Sequence, residues 1–244
     1  STPFSLSGIF CKVMKSNWDG KVARKNKDPL DLRVYSSRLL GIEPSLVLHG
    51  GGNTSVKVST KDPWGKSIEL VYIKGSGWDL GTIEREGFSP VKLTELCKLL
   101  EFEKLSDSQM VKLLRASMTD PYAPTPSVEA ILHGLIPFRF VDHTHADAVV
   151  TITNTKNGLN WIKEIYGDEI IIIPYVMPGF ILAKKIANLT KTLDWNGIKG
   201  MVLMNHGLFT FSDDAKSSYE NMISLVTKAE TFLKKRNIFV LKHT

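Results

Sequence analysis

Two histidines one residue apart, in Val141-Asp142-His143-Thr144-His145, lie in a run that otherwise reads as a buried strand. Side chains at i and i+2 of a strand leave by the same face, so His143 and His145 reach one cation without distorting the backbone. A third histidine, His206, follows the apolar run Met201–Met204 in Asn205-His206-Gly207-Leu208, and its ring is expected near a bend. Three imidazoles on one ion leave a position open for water or substrate, the pattern of a catalytic rather than a closed structural zinc site. Manganese and cobalt suit the same donors. Asp147, read as two residues further along the same strand face, is placed either to orient a ligand imidazole or to face solvent. Glu129, in Pro126-Ser127-Val128-Glu129, sits in the first turn of an expected helix, where a carboxylate offsets the macrodipole. His133, one turn later, reads as a packing or hydrogen-bonding residue, because three histidines already suffice for an ion.

Two glycine clusters supply a different chemistry. Leu48-His49-Gly50-Gly51-Gly52-Asn53-Thr54-Ser55 gathers glycines and small polar residues in an extended segment. Such a loop turns backbone N–H groups toward an anion without hindrance from Cβ atoms. Lys74-Gly75-Ser76-Gly77 adds an ammonium and a hydroxyl suited to a phosphate or carboxylate. Tight turns account for either cluster equally well. A dinucleotide fingerprint is discounted, because Leu80 stands where the third glycine belongs, Gly81 comes one residue late and no βαβ unit surrounds it.

The elements that must position these residues follow from periodicity and caps. Asp28-Pro29 starts a helix with Leu32, Tyr35 and Leu39 at helical spacing. Strands 45–59 and 67–74 flank an Asp62-Pro63-Trp64-Gly65 turn and form a hairpin. Ser89-Pro90 is expected to open a helix with Leu93, Leu96 and Leu100 inward, and Ser106 with Gln109 to form a capping box. A proline-rich loop, 121–126, leads to Ser127 as the N-cap of the Glu129 helix. Strand 169–176, helix 180–189, strand 200–211 and a long helix from Asp213 complete the reading. Together they predict one α/β layered domain over residues 1–244 around a mixed sheet, with 1–30 as a polar N-terminal segment.

The chain has 244 residues, 43% hydrophobic and 23% charged, enough to bury a large core. Its longest apolar runs fall well short of the roughly 20 residues that span a bilayer, so no membrane association is expected. The opening residues show no secretory signal pattern, and Cys11 and Cys97 belong to no paired motif, which suits a reducing, cytoplasmic setting. The net charge of +6 is spread over lysine-rich helical stretches. A solvated lysine-rich surface accounts for it, and the sharper reading is an anionic substrate such as a sugar phosphate rather than nucleic acid, because the basic stretch 12–27 is interrupted by Asp19 and lacks interleaved aromatics.

In order, the GGGNTS loop, KGSGWDL, PSVEAILH, VDHTHADAV and NHGLFTF resemble the class II aldolase/adducin family over roughly residues 30–235, closest to the aldolase half of bifunctional rhamnulose-1-phosphate aldolase/alcohol dehydrogenase proteins. The resemblance implies a three-layer α/β/α fold with a mixed, largely antiparallel central sheet. It implies a metal-dependent aldehyde-lyase that cleaves a ketose phosphate through a metal-stabilised enediolate, with Zn2+, Mn2+ or Co2+ as cofactor. Epimerisation, dehydration of a thio-sugar phosphate, and a non-catalytic adducin-like interaction module are its alternatives. Carried over, His143, His145 and His206 match the metal ligands and Glu129 the catalytic acid/base. Gly52, Asn53, Ser76, Gly77 and Ser127 match residues that hold the substrate phosphate. Gly50 replaces a usual hydroxyl and Val128 a common second serine, so that either Lys74 or Thr54 compensates or the substrate carries a different anion. A catalytic tyrosine used by some members falls near Tyr166 or Tyr175. A homotetramer and a separate dehydrogenase are the implied partners.

Overall fold

The computed structural model describes residues 13–238. Cys11, Lys12 and the rest of the N-terminal segment up to residue 12 lie outside the described residues. From residue 13 the segment packs on the last helix, with the Met14 N–H donating to Glu230 Oε2 at 2.7 Å and the Asn17 N–H donating to the Tyr219 hydroxyl at 3.0 Å.

A seven-stranded sheet organises the chain, with strand order β3-β2-β1-β4-β7-β6-β5. Its strands are β1 (Asn53–Lys61), β2 (Ser67–Lys74), β3 (Phe88–Lys92), β4 (Phe140–Thr144), β5 (Ile170–Ile173), β6 (Gly200–Leu203) and β7 (Gly207–Ser212). Every neighbouring pair is antiparallel except β5 with β6. The α-helices are α1 (Gly20–Ala23), α2 (Pro29–Gly41), α3 (Leu93–Lys98), α4 (Asp107–Ala116), α5 (Ala130–Leu135), α6 (Asp147–Thr153), α7 (Gly158–Tyr166), α8 (Phe180–Thr190) and α9 (Ala215–Lys235).

Alternation along the strands divides the core in two. Phe140 of β4 and Leu208 of β7 join α2, α6, α7 and α9 on one face, while Val141, Phe209 and Phe211 join α3, α4, α5 and α8 on the other. The result is three layers around a mixed α/β sheet that is mostly antiparallel, as the resemblance implied.

Several local expectations hold. Asp28 caps α2, accepting the Leu30 N–H at 2.7 Å, and Ser106 and Gln109 form the expected capping box on α4. Others are corrected. Strand β1 begins only at Asn53, with residues 45–52 forming turns and loop. Ser89-Pro90 does not open a helix but lies in β3, an edge strand that tolerates the missing N–H, and α3 starts at Leu93. The expected strand 200–211 is a hairpin broken at Asn205, whose φ of 58° turns the chain. The buried face of α2 includes Arg33, Ser36 and Ser37, whereas Leu32, Tyr35 and Leu39 are only half-buried. Polar residues share that face with Leu30, Val34 and Leu40 because it meets a buried carboxylate, Asp142.

Candidate active site

His143 leaves β4 on the α5 side of the sheet, opposite Asn53 of β1 and beside Phe209 of β7. Phe209 stacks on the His143 ring at 4.1 Å and 18°. His145 lies just past the end of β4, and the β6–β7 turn carries His206 toward both. One ligand nitrogen from each of the three histidines lies within 4.8 Å of the others. Gly207 lets the strands close up, because a Cβ there would stand 2.5 Å from the Thr144 carbonyl oxygen, 2.9 Å from His145 Cδ2 and 3.0 Å from His143 Cε1.

The protonation pattern follows from the partners. His143 Nδ1 lies 3.1 Å from the Leu208 carbonyl oxygen, which only accepts, so Nδ1 carries the proton and Nε2 presents a lone pair. That Nε2 lies 3.1 Å from His145 Nε2. Burial pushes the His143 pKa down to about 3, against the attraction of Glu129, so the ring is neutral near pH 7.

Glu129 occupies the N-cap position of α5. Its Oε1 is 2.9 Å from His206 Nε2, its Oε2 is 3.4 Å from His143 Nε2, and Asn53 Nδ2 donates to Oε2 at 2.6 Å. Burial opposes ionisation, but the histidines and the Asn53 hydrogen bond prevail and hold the carboxyl below the ordinary carboxylate range. At the other end of α5, Lys57 Nζ donates to the carbonyls of His133, Ile136 and Phe138 at 2.6–2.8 Å, which anchors the helix.

These residues fit a divalent cation. The three imidazoles converge beside an ionised carboxylate, and the buried His206 Nδ1 has no hydrogen-bond partner among the described residues. Three imidazoles whose ligand nitrogens converge in this way are the arrangement a divalent cation stabilises.

Residues 32–233 match the family described as Class II Aldolase and Adducin N-terminal domain. The chain belongs to that family. It is 37% identical over 225 residues to the uncharacterized oxidoreductase YuxG of Bacillus subtilis (strain 168), an alignment covering 92% of this chain but only 32% of that protein. The N-terminal class II aldolase domain of a conserved Thermoplasma acidophilum protein is 41% identical, with a TM-score of 0.83 over 90% of this chain and 99% of that one. L-fuculose-1-phosphate aldolase from Thermus thermophilus shares the fold at 16% identity, with a TM-score of 0.53 over 84% and 96% of the two chains. Class II aldolases use a divalent metal, which accords with the histidine cluster.

Around this class II aldolase cluster, the loops expected to take an anion are stitched together. The Ser127 N–H donates to the Lys74 carbonyl at 3.2 Å and the Ser76 N–H to the Thr125 carbonyl at 2.9 Å, bringing 74–77 against 125–127. Lys74 is 6% exposed, and its ammonium lies 3.5 Å from the Gly50 carbonyl oxygen. Ser76 and Gly77 are exposed, whereas Gly52 is buried at a φ of 69°, where a Cβ would meet the His143 carbonyl at 2.9 Å. Ser127 Oγ accepts the Glu129 N–H at 3.2 Å and lies 3.4 Å from Asn53 Nδ2.

Three assignments change. Thr54 is fully buried on the opposite face of β1, its hydroxyl 2.8 Å from Ser37 Oγ, so alternation removes it from any substrate site. Asp147 is not on the His143 strand, which ends at Thr144. It opens α6, and its N–H donates to the Ser45 carbonyl at 2.9 Å. The Asn53 side chain points at Glu129 and His133 rather than into the glycine loop, because β1 starts there opposite His143. Of the two tyrosines, Tyr166 is buried, with its hydroxyl donating to the Leu225 carbonyl at 2.7 Å, and Tyr175 is exposed.

Sequence reasoning missed Asp79, whose carboxylate accepts the Gly50 N–H and holds the glycine loop. Its only signal was its place after the second glycine cluster. It also missed Gly207, for which the tight Asn205-His206-Gly207 turn was the available cue.

Proposed function

We propose that the chain is a metal-dependent aldolase that cleaves a ketose 1-phosphate of the rhamnulose or fuculose kind. The convergence of His143, His145 and His206 beside the ionised Glu129 carries this reading. A divalent ion on these imidazoles supplies Lewis-acid stabilisation of negative charge developing on a carbonyl oxygen. His143, kept neutral by burial and fixed by Leu208, holds its lone pair in place for that ion.

In retro-aldol cleavage the hydroxyl of the carbon that becomes the aldehyde gives its proton to the ionised Glu129 carboxylate as the C–C bond breaks. The electron pair stays on the ketone fragment, whose carbon then takes up a proton. Glu129 is assigned the proton at that carbon. Asn53 holds its carboxylate in position, while Ser127, Ser76, Gly77, the Gly52 backbone and Lys74 are assigned to the phosphate. The part-length match to a protein named as an oxidoreductase supports a dehydrogenase, fused or separate, acting on the released aldehyde. A homotetramer in the cytoplasm belongs to the same proposal.

The test is elemental analysis of the purified chain, of His143→Ala and of His206→Ala, followed by product analysis with a panel of ketose 1-phosphates. Near-stoichiometric metal lost in both variants, with aldehyde released by the native chain, is expected. Absence of metal after reconstitution with zinc, manganese and cobalt rejects the catalytic reading in favour of an adducin-like module. Recovery of an isomeric sugar phosphate instead of an aldehyde makes the enzyme an epimerase.

A further inference from the structure

His133 is completely buried one turn after Glu129, with both ring nitrogens in short hydrogen bonds. Its Nδ1 is 2.6 Å from Ser55 Oγ and its Nε2 is 2.5 Å from Asn53 Oδ1, while Asn53 Nδ2 is 2.6 Å from Glu129 Oε2. The chemistry of each atom sets the direction of this chain. A carboxylate only accepts, so the amide NH2 of Asn53 must face Glu129 and its oxygen must face His133. An amide oxygen also only accepts, so His133 Nε2 carries the proton, and the lone pair on Nδ1 accepts the Ser55 hydroxyl.

We infer that His133 is a positioning residue for Glu129. Its Nε2–H locks the Asn53 amide in the one orientation that donates to the Glu129 carboxylate. Flipping that amide would set two oxygens against each other at Glu129 and two N–H groups against each other at His133. The ring itself is held by Phe209, edge-on at 5.5 Å and 63°, and Phe209 also stacks on His143. Lys57 fixes the backbone of the same residue through the His133 carbonyl at 2.7 Å. A histidine that merely filled the core would need satisfied nitrogens, but not a donor chain ending on the carboxylate beside the histidine cluster.

The inference rests on the role proposed for Glu129, but its test does not require turnover. In a long-range proton–nitrogen NMR spectrum of the full 244-residue chain, His133 is expected as the Nε2–H tautomer, unchanged between pH 6 and pH 8. The Asn53 side-chain NH2 is expected to be protected from solvent exchange. His133→Gln, which restores a donor, should keep that protection, whereas His133→Met, similar in size without a donor, should speed exchange by about tenfold or more. Ser55→Ala, which removes one hydroxyl, should shift the Nδ1 resonance while Nε2 keeps its proton, and it serves if His133→Met does not fold. An Nδ1–H tautomer in the native chain, or an Asn53 amide equally protected in His133→Met, overturns the inference. Failure to find metal or cleavage sinks the aldolase reading while leaving this measurement intact.

Discussion

Asp142 and His143 are consecutive on β4 and point to opposite faces of the sheet, Asp142 to the Arg33 guanidinium at 2.5 Å and His143 to the histidine cluster. Neither Arg33 nor Asp142 reaches solvent, and Ser218 donates to the second Asp142 oxygen at 2.6 Å. The strand that presents the first histidine of the cluster is therefore clamped from behind by a buried ion pair.

Arg33→Met should leave the Asp142 carboxylate buried without its cation, at a cost of about 3–5 kcal/mol. Urea unfolding of the metal-free protein measures this directly. The double variant Arg33→Met with Asp142→Leu should recover most of the loss, since removing both charges removes the desolvation cost. A single-variant loss below about 0.5 kcal/mol would mean that the guanidinium does not neutralise Asp142.

Gly207→Ala tests how tightly the cluster is drawn. The new methyl would meet backbone at the Thr144 oxygen and ring carbons of both His143 and His145, and the strand cannot yield without moving a histidine. Overpacking of this kind costs about 1–3 kcal/mol. Zinc affinity, followed by competition with a chromophoric chelator, should fall by about tenfold or more. Unchanged affinity would show that the three rings do not act on one ion.

Stability of the metal-free protein should fall as pH drops below about 6.5. The unfolded chain takes up a proton on His143 near its ordinary value of 6.5, whereas the folded ring resists protonation until about pH 3. The unfolded state thus binds more protons across that window, and stability rises with pH by up to about 1.4 kcal/mol per unit for each such histidine. Burial also pushes His133 well below its ordinary value, adding in the same sense. Chemical denaturation at several pH values, with chelator present, gives the slope. His143→Phe should flatten it, and an identical slope in that variant would remove His143 as the source.

The sequence carried the cluster more clearly than the elements around it. His143 and His145 were legible because a two-residue spacing on a strand has one geometric meaning, although the strand ends before His145. The Ser106 capping box and Asp28 cap were legible because caps are local. Thr54 was misread for the opposite reason, since its neighbour Asn53 faces Glu129 and only knowledge of where β1 begins decides which of the two looks inward. Likewise Asp147 depended on where β4 gives way to α6. The polar face of α2 was unreadable without its partner, because Arg33 becomes a core residue only when Asp142 arrives from more than a hundred positions away.

Glu129→Gln separates holding the site together from moving protons. The amide keeps the size of the carboxylate and an oxygen able to accept from Asn53 or His206, so the three imidazoles should retain close to native metal content by mass spectrometry. Proton exchange at the substrate carbon has no substitute base nearby, because His143 and His206 are assigned to the ion and Asn53 does not titrate. Turnover should therefore fall by about 10²–10⁴-fold while KM changes little. Metal lost together with activity would recast Glu129 as a ligand, and near-native turnover would remove it from the proton transfer altogether.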